Sequence, residues 1–211
     1  MPAVIRQSIN PLQHFLVVKK QKSQKQLARK LRSNKYLTIL AEWEDYLSST
    51  PPKNPTEADA KLTIKELADQ RIWKTYKQAV KEGVAIDRHS PPEALHKLRK
   101  TCKKLRYLME FFQNLYPEHR IDKLIKRLKL LQEVLGDYQD YAVQQERLQQ
   151  FSEEMQSINT PSRTFLAMGV LIQDFESRKC KARDRFTSQF AAFKKPETHA
   201  PFHALFAPKK P

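Results

Sequence analysis

Glycine is nearly missing from this chain: it accounts for only 3 of 211 residues. So little glycine leaves few means of building the tight turns of sheet-rich folds or the loops that cradle phosphates in nucleotide-binding ones. Neither G-x-G-x-x-G nor the P-loop pattern occurs, which removes the usual dinucleotide and NTP sites. Cysteine is as scarce. Cys102 and Cys180 alone cannot form a disulfide framework or a Cys-type zinc site. There is no 18-residue apolar run to span a bilayer, and residues 1–10 lack the apolar stretch of a secretory signal. No H-E-x-x-H, nucleophile elbow or Cys beside a plausible base is present. What the chain has in quantity is positive charge: 39 Lys and Arg against 23 Asp and Glu, a formal net charge of +16. With 40% hydrophobic residues it can bury a core as one domain or two small ones. The expectation is a soluble, intracellular, basic protein whose self-repulsion calls for a polyanionic partner.

Proline punctuates the chain. The 13 prolines leave proline-free segments at 12–50, 56–90, 93–116, 118–160 and 162–195. Each is rich in Leu, Lys, Gln, Glu and Ala, which favour helix, and proline breaks mark helix ends. The reading is an all-α antiparallel bundle of five or six helices, with loops at 48–55, 87–92, 117–118 and 157–162. Residues 1–11 are expected to be an irregular segment, 12–195 the helical domain and 196–211 a proline-rich, irregular tail. Phe202, Leu205 and Phe206 of that tail are candidates to dock on the core.

Segment 93–116 carries the most information. Leu95, Leu98, Cys102, Leu105, Met109 and Phe112 recur at spacings of three and four, one apolar face of a helix. His96, Arg99, Lys103, Arg106 and Glu110 follow the same rhythm one residue on, widened by Lys100 and Tyr107. From 96 to 106 there are six Lys or Arg and no carboxylate, so this band forgoes the i,i+4 ion pairs that normally lace a solvated face. Weaker versions recur elsewhere. Arg178, Lys181 and Arg185 flank a core row containing Phe165, Met168, Ile172, Phe175, Phe186, Phe190 and Phe193, and Arg71 and Lys74 flank Ile72, Tyr76 and Ala79. Residues 19–35, which include Lys20 and Lys22, hold eight basic residues and no acidic one, whereas 118–160 hold six basic and eight acidic.

Three readings of the main band stand side by side: a solvated face, a nucleic-acid surface, or a phosphate-lined groove between helices. The groove explains why the band abuts the apolar face, because residues at that margin point into the cleft toward neighbouring helices. Arginine's planar fork suits phosphate oxygens, and a polyanion there would displace counterions. His96 reads either as a core-margin histidine donating to a backbone carbonyl or as a further cationic contact beside phosphate. Cys102 reads as a small core residue. His199 and His203, the one i,i+4 histidine pair, sit in the proline-rich tail and read as solvated. No catalytic residue, metal ligand or cofactor is assigned.

The run LHKLRKTCKKLRYLMEFF at 95–112 resembles the signature H-x-x-R-K/R-x-x-K/R-K/R-x-R-Y of the CHAD family (conserved histidine α-helical domain). It matches at His96, Arg99, Lys100, Lys103, Lys104, Arg106, Tyr107 and Glu110. The run LIKRLKLLQEVLGDYQD at 124–140 is similar to that family's L-K-x-L-Q-x-x-L-G-x-x-x-D segment, and weaker likenesses upstream extend the similarity to roughly 12–193. The resemblance implies two pseudo-symmetric four-helix bundles around a basic cavity, and non-catalytic binding of inorganic polyphosphate. Carried over by position, the binding residues would be His96, Arg99, Lys100, Lys103, Lys104 and Arg106. Lys126, Lys129, Arg178, Lys181 and Arg185 are added from adjoining helices, and Arg71, Lys74, Lys20 and Lys22 from periodicity. Tyr107, through its hydroxyl, and Glu110, through an ion pair, are expected to position these side chains.

The family domain usually has two copies of the His motif, and this chain has one. It therefore resembles the second half of the domain. Three explanations stand open: a fragment, a homodimer that completes the cavity, or a degenerate member with an open groove. The resemblance also implies a cytoplasmic location, with polyphosphate granules as a candidate address. Nucleic acid as the polyanion, or a regulatory partnership with a phosphate-handling enzyme, are the alternative readings; a membrane partner is not expected.

Overall fold

The computed structural model describes residues 7–50 and 56–208. Residues 1–6 of the expected irregular N-terminal segment, 51–55 of the first expected loop and 209–211 of the tail lie outside the described residues. The fold is all-α. Among the described residues there are seven α-helices: α1 (Asn10–Leu31), α2 (Asn34–Ser48), α3 (Ile64–Val84), α4 (Pro92–Phe111), α5 (Glu118–Gln156), α6 (Ser162–Phe193) and α7 (Pro196–Phe206). A short 3-10 turn, Gln113–Leu115, follows α4.

Local chemistry sets most of these boundaries. Thr63 and Glu66 form a reciprocal capping box at the start of α3, satisfying two otherwise orphaned donors. Those hydrogen bonds from Thr63 hold the Glu66 carboxyl below its ordinary range. Pro92 opens α4, where its missing N–H costs nothing. The turn between α5 and α6 contains Asn159 at a φ of 29°, a region asparagine tolerates better than most residues. One break has no proline. α1 and α2 split at Arg32–Ser33, where the Ser33 hydroxyl accepts from the Tyr36 N–H. This N-cap makes two helices of the expected 12–50 segment, and the total exceeds the expected five or six.

The tail departs most from expectation. Residues 196–206 are helical despite Pro196 and Pro201. Pro196 sits in the first turn, where no donor is needed. Pro201 lies inside the helix and cannot donate to the Glu197 carbonyl four residues back. The Arg127 guanidinium of α5 donates to that same carbonyl, and also to Thr198 Oγ1 at 2.9 Å. A side chain thus supplies the hydrogen bond that proline removes. Phe202 and Phe206 are fully buried, and that burial holds α7 in place.

The chain divides into two compact units. Met1–Ala60 with Leu148–Leu171 form one, and Lys61–Arg147 with Ile172–Pro211 form the other. In the first, α1 and α2 pack together. Phe15 meets Phe151 edge to face at 5.6 Å, Lys19 pairs with Glu154, and Leu12, Met155 and Met168 are buried. α2 buries nothing; its stripe of Tyr36, Leu40, Trp43 and Leu47 is exposed.

The second unit holds the main core. α3 packs on α4 and α7. Ile72, Tyr76 and Ala79 of α3 meet Leu95, Leu98, Cys102, Leu105 and Met109 of α4, together with Leu124, Leu128, Leu131 and Leu135 of α5, Phe186, Phe190 and Phe193 of α6, and the two α7 phenylalanines. Tyr76 stacks on Phe202 at 3.9 Å between centroids, 10° from parallel. Gly83 is fixed by close approach: a Cβ there would lie 2.1 Å from the Phe190 ring. No helix among the described residues is long and apolar enough to cross a membrane.

Candidate functional site

α4 is sorted into three bands. Leu95, Leu98, Cys102, Leu105 and Met109 are buried at 1% exposure or less. Next come His96, Arg99, Lys103, Arg106 and Glu110, all half-buried, and beyond them Lys100, Lys104 and Tyr107 are exposed. This follows from the 3.6-residue period: a one-residue step turns about 100°, off the core face and toward its edge. At that edge the aliphatic stems of Lys and Arg cover apolar surface while their charged ends reach water.

The middle band is tied to α5. His96 Nδ1 lies 2.8 Å from Gln139 Oε1. An amide oxygen only accepts, so Nδ1 carries the hydrogen and Nε2 is left for other partners. The expected backbone carbonyl is replaced here by a side-chain one. Seven residues earlier on α5, the Gln132 amide donates to the Cys102 carbonyl at 2.6 Å. Glu110 stands between two cations, 3.6 Å from Arg106 Nε and 3.4 Å from Lys129 Nζ of α5. The Arg106 Nε is buried and has no hydrogen-bond partner among the described residues. Tyr107 acts through its ring, which the Arg106 guanidinium and Lys103 Nζ approach at 5.1 and 5.8 Å. Among the described residues its hydroxyl has no hydrogen-bond partner, and its contacts with the band are of the cation–π kind.

The remaining candidates fall into different surroundings. Lys126 is exposed on α5. Arg185 of α6 bonds Asp137 of α5 at 2.5 Å. Arg178 pairs with Asp174 at 2.8 Å, and that bond raises its already high pKa. Lys181 is exposed, as are Arg71 and Lys74 on α3. Lys20 and Lys22 are exposed on α1, in the other unit. The structure thus joins Arg106, Glu110 and Lys129 into one cluster and engages Arg178 and Arg185 with carboxylates of their own.

The sequence reading passed over Gln139. Its signal is a polar residue next to Tyr138 on the strongly apolar row Leu128, Leu131, Leu135 and Tyr138, half-buried itself and one heptad after the buried Gln132. The cysteine chemistry is quiet. Burial, with Glu82 nearby, pushes the Cys102 thiol up to about 12, which leaves no thiolate at neutral pH.

A CHAD domain family model matches residues 2–149, from before α1 into α5, whereas the motif likeness spans roughly 12–193. Two relatives from Mycobacterium tuberculosis are the uncharacterized proteins MT2285 (strain CDC 1551 / Oshkosh) and Rv2226 (strain ATCC 25618 / H37Rv). Each is 31% identical over 143 residues, which cover 68% of this chain and 26% of the relative. The chain therefore spans about a quarter of the length of these relatives.

Proposed function

The chain belongs to the CHAD domain family, which is associated with polyphosphate binding, and on that premise we propose that it binds inorganic polyphosphate through the basic band of α4 without chemistry of its own. The observation that carries this is the run of cations without carboxylates. Lys100, Lys103 and Lys104 have no ion-pair partner among the described residues, although 23 carboxylates are available in the chain. A surface that declines neutralisation from within is set to receive it from outside. His96, Arg99 and Arg106 extend the same face, Lys129 of α5 reaches it through Glu110, and Lys126 of α5 is proposed as a further contact.

Arg178, Lys181, Arg185, Arg71 and Lys74 are proposed as outer contacts of the second unit, and Lys20 and Lys22 as polyphosphate contacts of the first unit by itself. The binding mechanism is electrostatic: successive phosphates meet guanidinium and ammonium groups, and counterions are released. In this reading the region 12–195 is the working domain, and the protein is cytoplasmic. A homodimer that completes the cavity is supported by the exposed apolar stripe of α2, since such stripes mark interfaces. Sedimentation showing a monomer at tens of micromolar would remove that element.

The test is calorimetric titration with long-chain polyphosphate at low and moderate salt, with duplex DNA as competitor. Binding should weaken by roughly tenfold or more as salt rises, and DNA at equal phosphate should not displace the ligand. Ready displacement by DNA would favour a general polyanion surface.

A further inference from the structure

α4 bears a feature that a bare phosphate chain would not use. Tyr107 and Phe111, one helical turn apart, are 50% and 79% exposed. Together with Leu108 they line an open depression of about 520 Å³ whose other lining residues are Lys100, Lys103 and Lys104. Side chains at i and i+4 are neighbours on a helix surface, so the two rings form one continuous apolar ledge with a cationic rim. Phe111 is held edge-to-face by Phe112, centroids 4.8 Å apart at 89°. Isolated exposed apolar residues need no explanation. Two adjacent rings beside three lysines that have no ion-pair partner among the described residues form a surface with two chemistries.

A ligand matched to both must join a flat aromatic group to a short phosphate chain. We propose that this ledge binds a nucleoside polyphosphate, with the base against Tyr107 and Phe111 and the phosphates against Lys100, Lys103 and Lys104. The proposal rests on the polyphosphate reading and adds a second ligand class to the same helix. Scale favours a free nucleotide over a nucleic-acid strand. The depression is the size of a small-molecule site, and two rings one turn apart offer stacking for one base, whereas single-strand binders line up successive platforms.

The experiment titrates the full chain with ATP and, separately, with inorganic tripolyphosphate, at equal salt and without divalent metal. ATP should bind at least about fivefold tighter, the lower end of what one stacked base contributes. Phe111→Ala should abolish that advantage, leave tripolyphosphate affinity unchanged and keep the helical circular dichroism intact. Equal affinities for the two ligands in the wild type, or an ATP preference that survives Phe111→Ala, would overturn the ledge. So would a short oligothymidylate displacing ATP at equal nucleotide concentration, which would assign the ledge to single strands. So would Phe111→Ala converting a dimer to a monomer without changing ligand preference. Long-chain polyphosphate titrated in parallel tests the parent reading separately: its binding without an ATP preference would sink this inference alone.

Discussion

His96 is held by Gln139: the imidazole Nδ1 and the amide oxygen lie 2.8 Å apart, across 43 residues of sequence. The contact fixes both the ring's orientation and which nitrogen carries the hydrogen, so Gln139 is a positioning residue for the basic band. Replacing Gln139 by Leu removes the acceptor. Polyphosphate affinity should fall about two- to tenfold, the span that corresponds to one hydrogen bond of 0.5–1.5 kcal/mol. Nitrogen-15 NMR of the imidazole should show the loss of the single tautomer, which a purely structural role would leave in place. Gln139→Glu keeps an acceptor at the same place and should restore the Nδ1 hydrogen and the ring's orientation. A Leu variant with unaltered tautomer and affinity would refute the role.

Glu110 bridges Arg106 and Lys129 and is the one carboxylate in the half-buried band of α4. Glu110→Gln removes its charge and should tighten polyphosphate binding severalfold at low salt, with the gain fading at high salt. Stability should drop by less than about 1 kcal/mol, because these pairs are partly exposed and long. Arg99→Ala and Arg106→Ala should each weaken binding while leaving helical content intact. If both bind like the wild type, the groove is elsewhere.

Gly83 is defined by Phe190. Alanine normally stabilises a helix interior by about 1 kcal/mol relative to glycine. Here its methyl would sit 2.1 Å from a ring carbon, and overpacking a core costs about 1–3 kcal/mol. Gly83→Ala should therefore lower the melting temperature, and Gly83→Ala with Phe190→Leu should recover part of the loss. A stabilised single variant would mean that α3 and α6 can separate freely at this point.

Alkaline pH should loosen the second unit. Burial pushes the Tyr76 hydroxyl up to about 12, above its ordinary value near 10. The folded state therefore holds the proton more tightly than the unfolded chain. The associated stability is complete below about pH 10 and is lost as pH rises toward 12, on the order of 2 kcal/mol. Tyr116, buried and donating to Asp69 at 2.8 Å, is raised for the same reason and adds in the same direction. Urea midpoints measured from pH 8.5 to 12 should fall more steeply for the wild type than for Tyr76→Phe, which keeps the stacking on Phe202. Parallel curves would show that Tyr76 does not titrate with unfolding.

Sequence periodicity reached the helices whose ends are marked by proline and whose faces are regular. Leu95, Leu98, Cys102, Leu105 and Met109 all lie in the core, and their spacing alone specifies this. It did not reach features set by a single hydrogen bond. Ser33 divides α1 from α2 through one hydroxyl, with no composition change to signal it. The α7 helix was hidden because Pro201 normally ends a helix, and the residue that rescues it is 74 positions away. Of the candidate site, the order of bands on α4 was legible because one period governs it. The Gln139 contact was not, since pairing a residue of α4 with one of α5 needs the packing register, which no local pattern encodes.

The Arg127 contact gives α7 an unusual dependence. Most helices carry their hydrogen-bond ladder within themselves and lose it by fraying from the ends. Here one rung belongs to another helix, so α7 has no complete ladder to keep once it leaves α5. As a free peptide, 196–206 should be coil. Within the protein, its amides should exchange with solvent only when Arg127 and the Phe202–Tyr76 stack open together, as one event shared by helices far apart in sequence.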